Sequence, residues 1–154
     1  MLQDAAPAAP QIGHVFECVI PVRWGDQDLL NHVNNTVYFR YCEEARAQLY
    51  AKAGHPVPGE REVVLAHAAC DFLKPLTYPA TVVVRLEFTR LGRSSMDYDF
   101  IVERRDEPGV VYARGKNITV NTDAATGKSC AWSEPELAAY GRCFVAPAQR
   151  GEFL

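Results

Sequence analysis

The sequence has little of what marks a nucleic-acid-binding, membrane-spanning or exported protein. Its 154 residues contain no run of basic side chains and carry a net charge of −3, so no nucleic-acid partner is expected. No apolar run approaches the roughly 20 residues that a membrane-spanning helix requires, so no membrane partner is expected. The first ten residues have neither a basic start nor an apolar centre, which predicts a disordered tail over residues 1–12 and no signal peptide.

The cysteines form no recognisable framework. The five are scattered along the chain, and no two have the C-x-x-C spacing of many zinc and redox sites. The odd number and the irregular spacing predict neither a disulfide scaffold nor a metal site, and reduced thiols fit a cytoplasmic protein best. We interpret each cysteine as a small core residue, while a catalytic thiol stays open on the sequence alone.

Hydrophobic patterning predicts one domain that begins with a strand and a long helix. No internal repeat or domain boundary divides the chain, so we expect a single domain over residues 13–145 and a weakly ordered tail over 146–154. Apolar residues alternate over residues 14–24, as in a half-buried strand. They then recur at four-residue spacing over residues 37–53, which predicts an amphipathic helix that ends at Gly54.

The rest of the chain alternates in the manner of β-strands. Four further strands are predicted, over residues 64–72, 82–88, 96–102 and 111–120. In the last of them the apolar positions change parity, so we expect a bulge near Gly115. One helix followed by hairpin-connected strands predicts an α+β fold with an antiparallel sheet. Since a single helix cannot cover both faces of that sheet, a second subunit is expected at the other face or at an edge.

A polar cluster separates the first strand from the helix. Two carboxylates, an imidazole and three amides stand together there: Asp26, Asp28, Asn31, His32, Asn34 and Asn35. The N–H groups of a first helical turn have no partners within the helix and lie at the positive end of its dipole. They can stabilise a developing oxyanion while a carboxylate activates or delivers the nucleophile. The cluster therefore predicts acid–base chemistry on a carbonyl group.

The same segment resembles a known family. The pattern Asp-x-Asp-x-x-x-His-Val-Asn-Asn-x-x-Tyr covers residues 26–38 and is continued by Tyr-Cys-Glu-Glu-Ala-Arg over 41–46. It is similar to the hot-dog-fold acyl-CoA thioesterases of the 4-hydroxybenzoyl-CoA thioesterase type. Shorter segments within residues 71–76, 91–95 and 113–127 continue the likeness.

The resemblance implies a hot-dog fold, in which an antiparallel sheet wraps around one long helix. It also implies a homodimer or homotetramer with active sites at subunit interfaces. The implied substrate is an acyl-CoA thioester, hydrolysed to a free acid and coenzyme A without a metal ion or further cofactor. The sequence departs from the family at Asn31, where a glycine is usual but asparagine tolerates positive φ, and at Phe72, where a tyrosine is frequent.

The family motif also implies roles for the loop residues. Asp28 corresponds to the catalytic carboxylate, acting either as nucleophile or as general base for water. The backbone N–H of Asn35, or of its neighbour Thr36, corresponds to the oxyanion donor. His32 either polarises the carbonyl or holds the loop, and we favour the loop role. Asn34 is expected to cap the helix beside the substrate.

Substrate contacts are expected from a further group of residues outside this loop: Tyr38, Lys74, Arg93, Ser94 and Ser95. Lys74 and Arg93 are cations suited to the phosphates of coenzyme A. The resemblance implies that one of the two serines lines the pocket. Tyr38 is expected to pack on the sheet or on a partner subunit and to border the acyl group.

Several alternatives stay open. Asp26 is interpreted as structural, bonding the loop or Arg23. Another branch of hot-dog thioesterases places its carboxylate on the helix, where this chain has Glu43 and Glu44. We expect both to be solvated or paired, with Glu44 at ion-pair spacing from Arg40 and the stronger alternative of the two. The scaffold also suits hydration or dehydration of an acyl thioester, or binding of one without turnover.

Overall fold

The computed structural model describes residues 7–147. Within them lie seven elements and one short turn of 3₁₀ helix at Trp24–Asp26. The elements, in chain order, are β1 (Val15–Pro21), α1 (Asn35–Ala53), β2 (Arg61–Phe72), β3 (Thr81–Leu91), β4 (Ser95–Arg104), β5 (Val111–Asp123) and α2 (Glu134–Gly141). No helix in this described part has the length and apolar character of a membrane span.

The predicted tails fall mostly outside the described residues, which exclude 1–6 and 148–154. The remaining part of the N-terminal tail lies against α2. Pro10 is buried. The backbone of Ala9 lies so close to Gly141 that a Cβ atom at position 141 would contact the Ala9 carbonyl group.

The five strands form one antiparallel sheet in the order β1-β3-β4-β5-β2. The predicted α+β class and hot-dog arrangement are therefore confirmed, with α1 lying across one face. The order places β2 at an edge beside β5, although β2 precedes β3 in the chain. The other long side of β2 pairs with no strand in residues 7–147.

Helix α1 forms where its apolar residues repeat with helical period. Asn34 caps its start, and Gly54 ends it in the left-handed conformation with φ 73°, as predicted. The buried stripe recurs every three or four residues: Tyr38, Tyr41, Cys42, Ala45, Arg46 and Leu49. Arg46 was not predicted to belong to this stripe.

The core lies between α1 and the inner face of the sheet. The even-numbered residues over 82–88 of β3 and 96–102 of β4 point into it and are fully or almost fully buried: Val82, Val84, Leu86, Phe88, Met96, Tyr98, Phe100 and Val102. This confirms the alternation predicted for these two strands.

The bulge predicted near Gly115 lies three residues earlier, at Tyr112, where the pairing of β5 with β4 shifts between Val102 and Glu103. Gly115 lies in unbroken register between Cys70 of β2 and Phe100 of β4. A Cβ atom at this position would overlap the Ala69 carbonyl oxygen and the Phe100 ring. The glycine is therefore required for close approach of neighbouring strands and not for a change of register.

Because the register does not change at Gly115, polar residues of β5 point inward. Asn117, Thr119 and Asn121 are fully buried beneath the helices. The Thr119 hydroxyl donates to the Met96 carbonyl at 3.2 Å, and the Asn121 amide donates to Glu136 of α2 at 3.4 Å. A buried polar row thus lies under an otherwise apolar core, and its amides need partners from α1 and α2.

Candidate active site

The loop between β1 and α1 is fixed to the segment that precedes β3. The Val33 N–H donates to the Leu76 carbonyl at 2.7 Å, and the Tyr78 N–H donates to the Gln27 side chain at 3.1 Å. Within the loop, the Asp28 N–H donates to the His32 carbonyl at 3.0 Å. Backbone hydrogen bonds therefore hold the polar cluster in one conformation.

Asp26 connects this loop to the helix. Its carboxylate accepts the Arg23 N–H at 2.9 Å and the Tyr41 hydroxyl at 2.7 Å, and the Arg23 guanidinium lies 3.8 Å away. Burial, together with the bond to Asp26, raises the pKa of Tyr41 well above its usual range, so the phenol remains a donor. The structural role predicted for Asp26 is confirmed.

Asp28 is half-buried, and each of its two carboxylate oxygens accepts one hydrogen bond. One accepts the Leu30 N–H at 2.9 Å, and the other accepts the Asn34 side-chain amide at 3.1 Å. Asn31, which lies between Leu30 and Asn34 in the sequence, has φ 58°. This is the left-handed conformation, which asparagine tolerates better than most residues. The loop therefore keeps its turn without the usual glycine, and the carboxylate retains lone pairs for a substrate or water.

The two predicted oxyanion donors at the start of α1 differ in their hydrogen bonding. The N–H and hydroxyl of Thr36 both donate to the Asn34 side-chain oxygen, at 2.9 and 2.6 Å. The N–H of Asn35 has no acceptor among residues 7–147. The Thr36 N–H is therefore committed to the helix cap, which leaves Asn35 as the donor available to a ligand.

A cavity of about 140 Å³ opens beside this helix start. Four of the predicted site residues line it: His32, Asn35, Tyr38 and Lys74. Phe72, at the end of β2, forms another wall, with its ring 5.3 Å from that of Tyr38. Burial raises the pKa of Tyr38 to about 12, so its hydroxyl stays protonated at neutral pH.

His32 holds the loop through its backbone. Its carbonyl accepts the Asp28 N–H, whereas its exposed ring makes no hydrogen bond within the described part of the chain. The ring is therefore free to contact a ligand in the cavity, but it is not paired with Asp28.

The structure does not bring Arg93, Ser94 and Ser95 into this cavity. Arg93 and Ser94 lie in the turn between β3 and β4, and Ser95 begins β4. The Arg93 carbonyl accepts the Trp132 N–H. Asp28 lies beyond the other end of the sheet, near the start of β3. The intervening ten-residue strand β4 spans roughly 30 Å at about 3.3 Å per residue. Within one chain, the predicted site residues therefore form two separate groups.

The carboxylates of α1 are solvent-exposed, as predicted, but their partners differ. Arg40 lies 3.7 Å from Glu43, and Glu44 accepts the Gln48 side-chain amide at 3.0 Å. Glu43 and Glu44 are therefore solvated and paired, as predicted, although Arg40 pairs with Glu43, three residues along, and not with Glu44.

We expect Asn34→Asp to separate helix capping from catalysis. Aspartate caps a helix as well as asparagine does, so the free energy of unfolding should stay within about 1 kcal/mol of the wild type. The new carboxylate replaces the amide that donates to Asp28, so kcat should fall about 10-fold to 100-fold. The acidic limb of the pH–rate profile should move to higher pH, because neighbouring like charges disfavour ionisation.

Asn34→Ser is the matched control, since serine also caps but adds no charge. It should lower kcat without moving the profile. Wild-type kcat in both variants would contradict the role of Asn34 in orienting Asp28.

The cysteines offer no activated thiol at this site. Burial raises the pKa of Cys18, Cys42 and Cys70 to about 11 each. At pH 7 roughly one in 10⁴ of these thiols is ionised, so alkylation by iodoacetamide should be slow and should leave the activity that the resemblance implies unchanged. Rapid inactivation that tracks modification of one of them by mass spectrometry would contradict this. The described residues also contain no group of His, Cys, Asp or Glu arranged to hold a metal ion.

The chain is similar in sequence and fold to known proteins. The family model described as the thioesterase superfamily matches residues 30–111. A protein of Aquifex aeolicus named as a candidate esterase is 35% identical over 89 residues, which cover 55% of this chain and 70% of that protein.

Two solved structures above 30% identity have the same architecture. A candidate thioesterase from Pseudomonas aeruginosa is 37% identical with a TM-score of 0.74, covering 80% of this chain and 95% of its own. A candidate acyl-CoA thioesterase from Xanthomonas campestris is 34% identical with a TM-score of 0.66, covering 73% and 97%. Since the family match spans more than half of the sequence, the chain belongs to the thioesterase superfamily and is a thioester hydrolase with the hot-dog fold.

Proposed function

We propose that the protein hydrolyses acyl-CoA thioesters to a free acid and coenzyme A, with Asp28 as the catalytic carboxylate. One observation carries this proposal. The Asp28 carboxylate is held by Asn34, the residue that caps α1, and the Asn35 N–H that follows has no acceptor in the described chain. A fixed carboxylate next to a free N–H at a helix start suits attack on a carbonyl. The name of the Xanthomonas campestris relative supports coenzyme A as the carrier.

In this mechanism the thioester oxygen accepts the Asn35 N–H, and the positive end of the helix dipole stabilises the oxyanion. Asp28 either takes a proton from water, which attacks the carbonyl carbon, or attacks that carbon itself. In the first case the C–S bond breaks as the tetrahedral intermediate collapses. In the second, a mixed anhydride forms, the thiolate leaves, and water then hydrolyses the anhydride. Because the thiolate is a good leaving group, no strong general acid is required.

The binding site for coenzyme A is proposed to combine two copies of the chain. Lys74 lines the cavity beside the start of α1, whereas Arg93 and the two serines lie at the far end of the same sheet. Antiparallel pairing of two β2 edges would place the beginning of one strand beside the end of the other. The Arg93 end of one copy then faces the Asp28 end of its neighbour. A homodimer is the smallest assembly that achieves this, and a homotetramer contains two such pairs.

The test is thiol release from short, long and aromatic acyl-CoAs, and from the same acyl groups on acyl carrier protein. Stoichiometric thiol release from coenzyme A esters supports the proposal, and the preferred acyl group defines the pocket. Release only from acyl carrier protein would overturn the assignment of the carrier. Loss of an enoyl-CoA double bond without thiol release would indicate hydration, although the His32 ring makes no bond to Asp28 that such chemistry would use. Binding without either reaction would indicate a non-catalytic carrier.

A further inference from the structure

Arg46 is a buried cation that has no carboxylate partner among residues 7–147. It is 8% exposed and lies on the inner side of α1. Its guanidinium donates to the Asn117 side-chain oxygen and to the Cys42 sulfur, the latter at 3.4 Å. No Asp or Glu of residues 7–147 lies within ion-pair distance of it. A desolvated guanidinium held by neutral groups alone is costly, so an anion from outside the chain would stabilise it.

A second donor beside Arg46 also lacks an acceptor within the described part of the chain. The side-chain amide nitrogen of Asn117 is buried and makes no hydrogen bond to residues 7–147, while the oxygen of the same amide accepts from Arg46. Asn117 itself is fully buried on β5. The guanidinium and this amide therefore form a donor-rich pair with no negative charge to match it.

Arg46 borders a groove that faces the open edge of the sheet. The groove, of about 180 Å³, lies between α1 and β2 and is lined by Thr36, Phe39, Arg40, Glu43, Arg46, Leu65 and Ala68. Leu65 and Ala68 lie on either side of the middle of β2, the edge strand. Phe39 and Leu65 are 37% and 45% exposed, so apolar surface surrounds the charged groups. An apolar surface around a few charges is typical of the centre of a protein interface.

We propose that the missing anion is the Glu43 carboxylate of a second copy, which pairs with Arg46 across a two-fold axis near the middle of β2. This inference rests on the β2 pairing proposed above. A two-fold axis makes the contact reciprocal, so Glu43 of each copy meets Arg46 of the other. Both residues line the same groove, one helical turn apart. The intrachain pair of Glu43 with Arg40 is long, at 3.7 Å, and exposed, so it exchanges at little cost.

Sedimentation equilibrium of the full chain tests this pair. Glu43→Arg places like charges together across the axis and should raise the dimer dissociation constant at least about a hundredfold. The double variant E43R/R46E reverses both charges and should recover most of that loss. Glu44→Arg is the matched control: it makes the same charge change one residue along, where the side chain borders β1 residues Val19 and Ile20. It should change the constant by less than about threefold.

Equal dimer dissociation constants for Glu43→Arg and Glu44→Arg would overturn the proposed ion pair. A double variant that folds but does not dimerise would also overturn it. If the double variant loses its helical circular dichroism signal, it is unfolded, and the proposed ion pair is then tested by comparing Glu43→Arg with Glu44→Arg. A monomeric wild type would overturn both the β2 pairing and this ion pair. Thiol release by that monomer would still leave the hydrolase assignment standing, so the two proposals fail separately.

Discussion

Asp28→Asn is expected to lower kcat for acyl-CoA hydrolysis by about 10²–10⁴-fold. The amide has nearly the shape of the carboxylate, but it is neither a base nor a nucleophile at neutral pH. It retains one oxygen to accept a hydrogen bond, so one of the bonds from Leu30 and Asn34 is kept. The expected cost in stability is therefore about 1 kcal/mol, small beside the loss of rate. Steady-state thiol release, with urea denaturation and sedimentation of the same sample, measures the two effects separately.

Asp106→Asn is the matched control for this result. Asp106 follows β4, with an exposed side chain that accepts two hydrogen bonds from Arg104. The same change of charge there should leave kcat unaltered. If Asp28→Asn hydrolyses thioesters at the wild-type rate, the catalytic assignment is wrong, and Glu44 and Glu43 are the next residues to substitute. Acid quench during turnover, followed by mass spectrometry, distinguishes an acyl group bound to Asp28 from general-base catalysis.

Gly115→Ala is expected to destabilise the fold by about 3 kcal/mol or more, the largest effect on stability that we expect from a single methyl group. The added Cβ would overlap the Ala69 carbonyl oxygen and the fully buried Phe100 ring. The carbonyl is backbone of a paired strand and cannot move away without disturbing the pairing of β2 with β5, and the ring has no free space to move into because it is fully buried. Urea denaturation followed by circular dichroism at one fixed protein concentration measures the change.

Gly25→Ala provides the comparison for that substitution. A Cβ at Gly25 meets no atom within 4 Å, and its φ is not in the left-handed region. The free energy of unfolding should change by less than about 0.5 kcal/mol. A stable, soluble Gly115→Ala protein that matches Gly25→Ala would mean that the strands separate locally to admit a methyl group, contrary to the packing described.

Much of the fold was predictable because it depends on local periodicity. The alternation in β3 and β4, the spacing in α1 and the glycine at its end all follow from rules that act over a few residues. The place of β2 beside β5 depends on pairing between distant segments, which no local pattern reports. The apolar Ile118 and Val120 suggested a change of parity in β5. In the structure Asn117 and Asn121 point inward instead, because polar groups of Arg46 and Glu136 meet them there.

The loop residues of the candidate site were predictable for a similar reason. Asp28, Asn34 and the helix start lie within a few residues of one another, so one motif contains them. The sequence did not show that the Thr36 N–H donates to the Asn34 side chain, because that hydrogen bond depends on the rotamer of Asn34. Arg93 and the serines were grouped with Asp28 by resemblance. A sequence does not say whether two such groups meet within one chain or between two.

The open edge of β2 has a consequence for how this protein must be produced. The central part of the strand, residues 63–70, reads Val-Val-Leu-Ala-His-Ala-Ala-Cys and contains no proline and no Asp, Glu, Lys or Arg. Natural sheets usually protect such edges with charges, prolines or bulges, because bare strands recruit other chains into aggregates. Here the strand carries one register shift, between Leu65 and His67. A newly made copy is therefore at risk of aggregation through that strand, and heterologous expression at high rates should favour inclusion bodies over soluble protein.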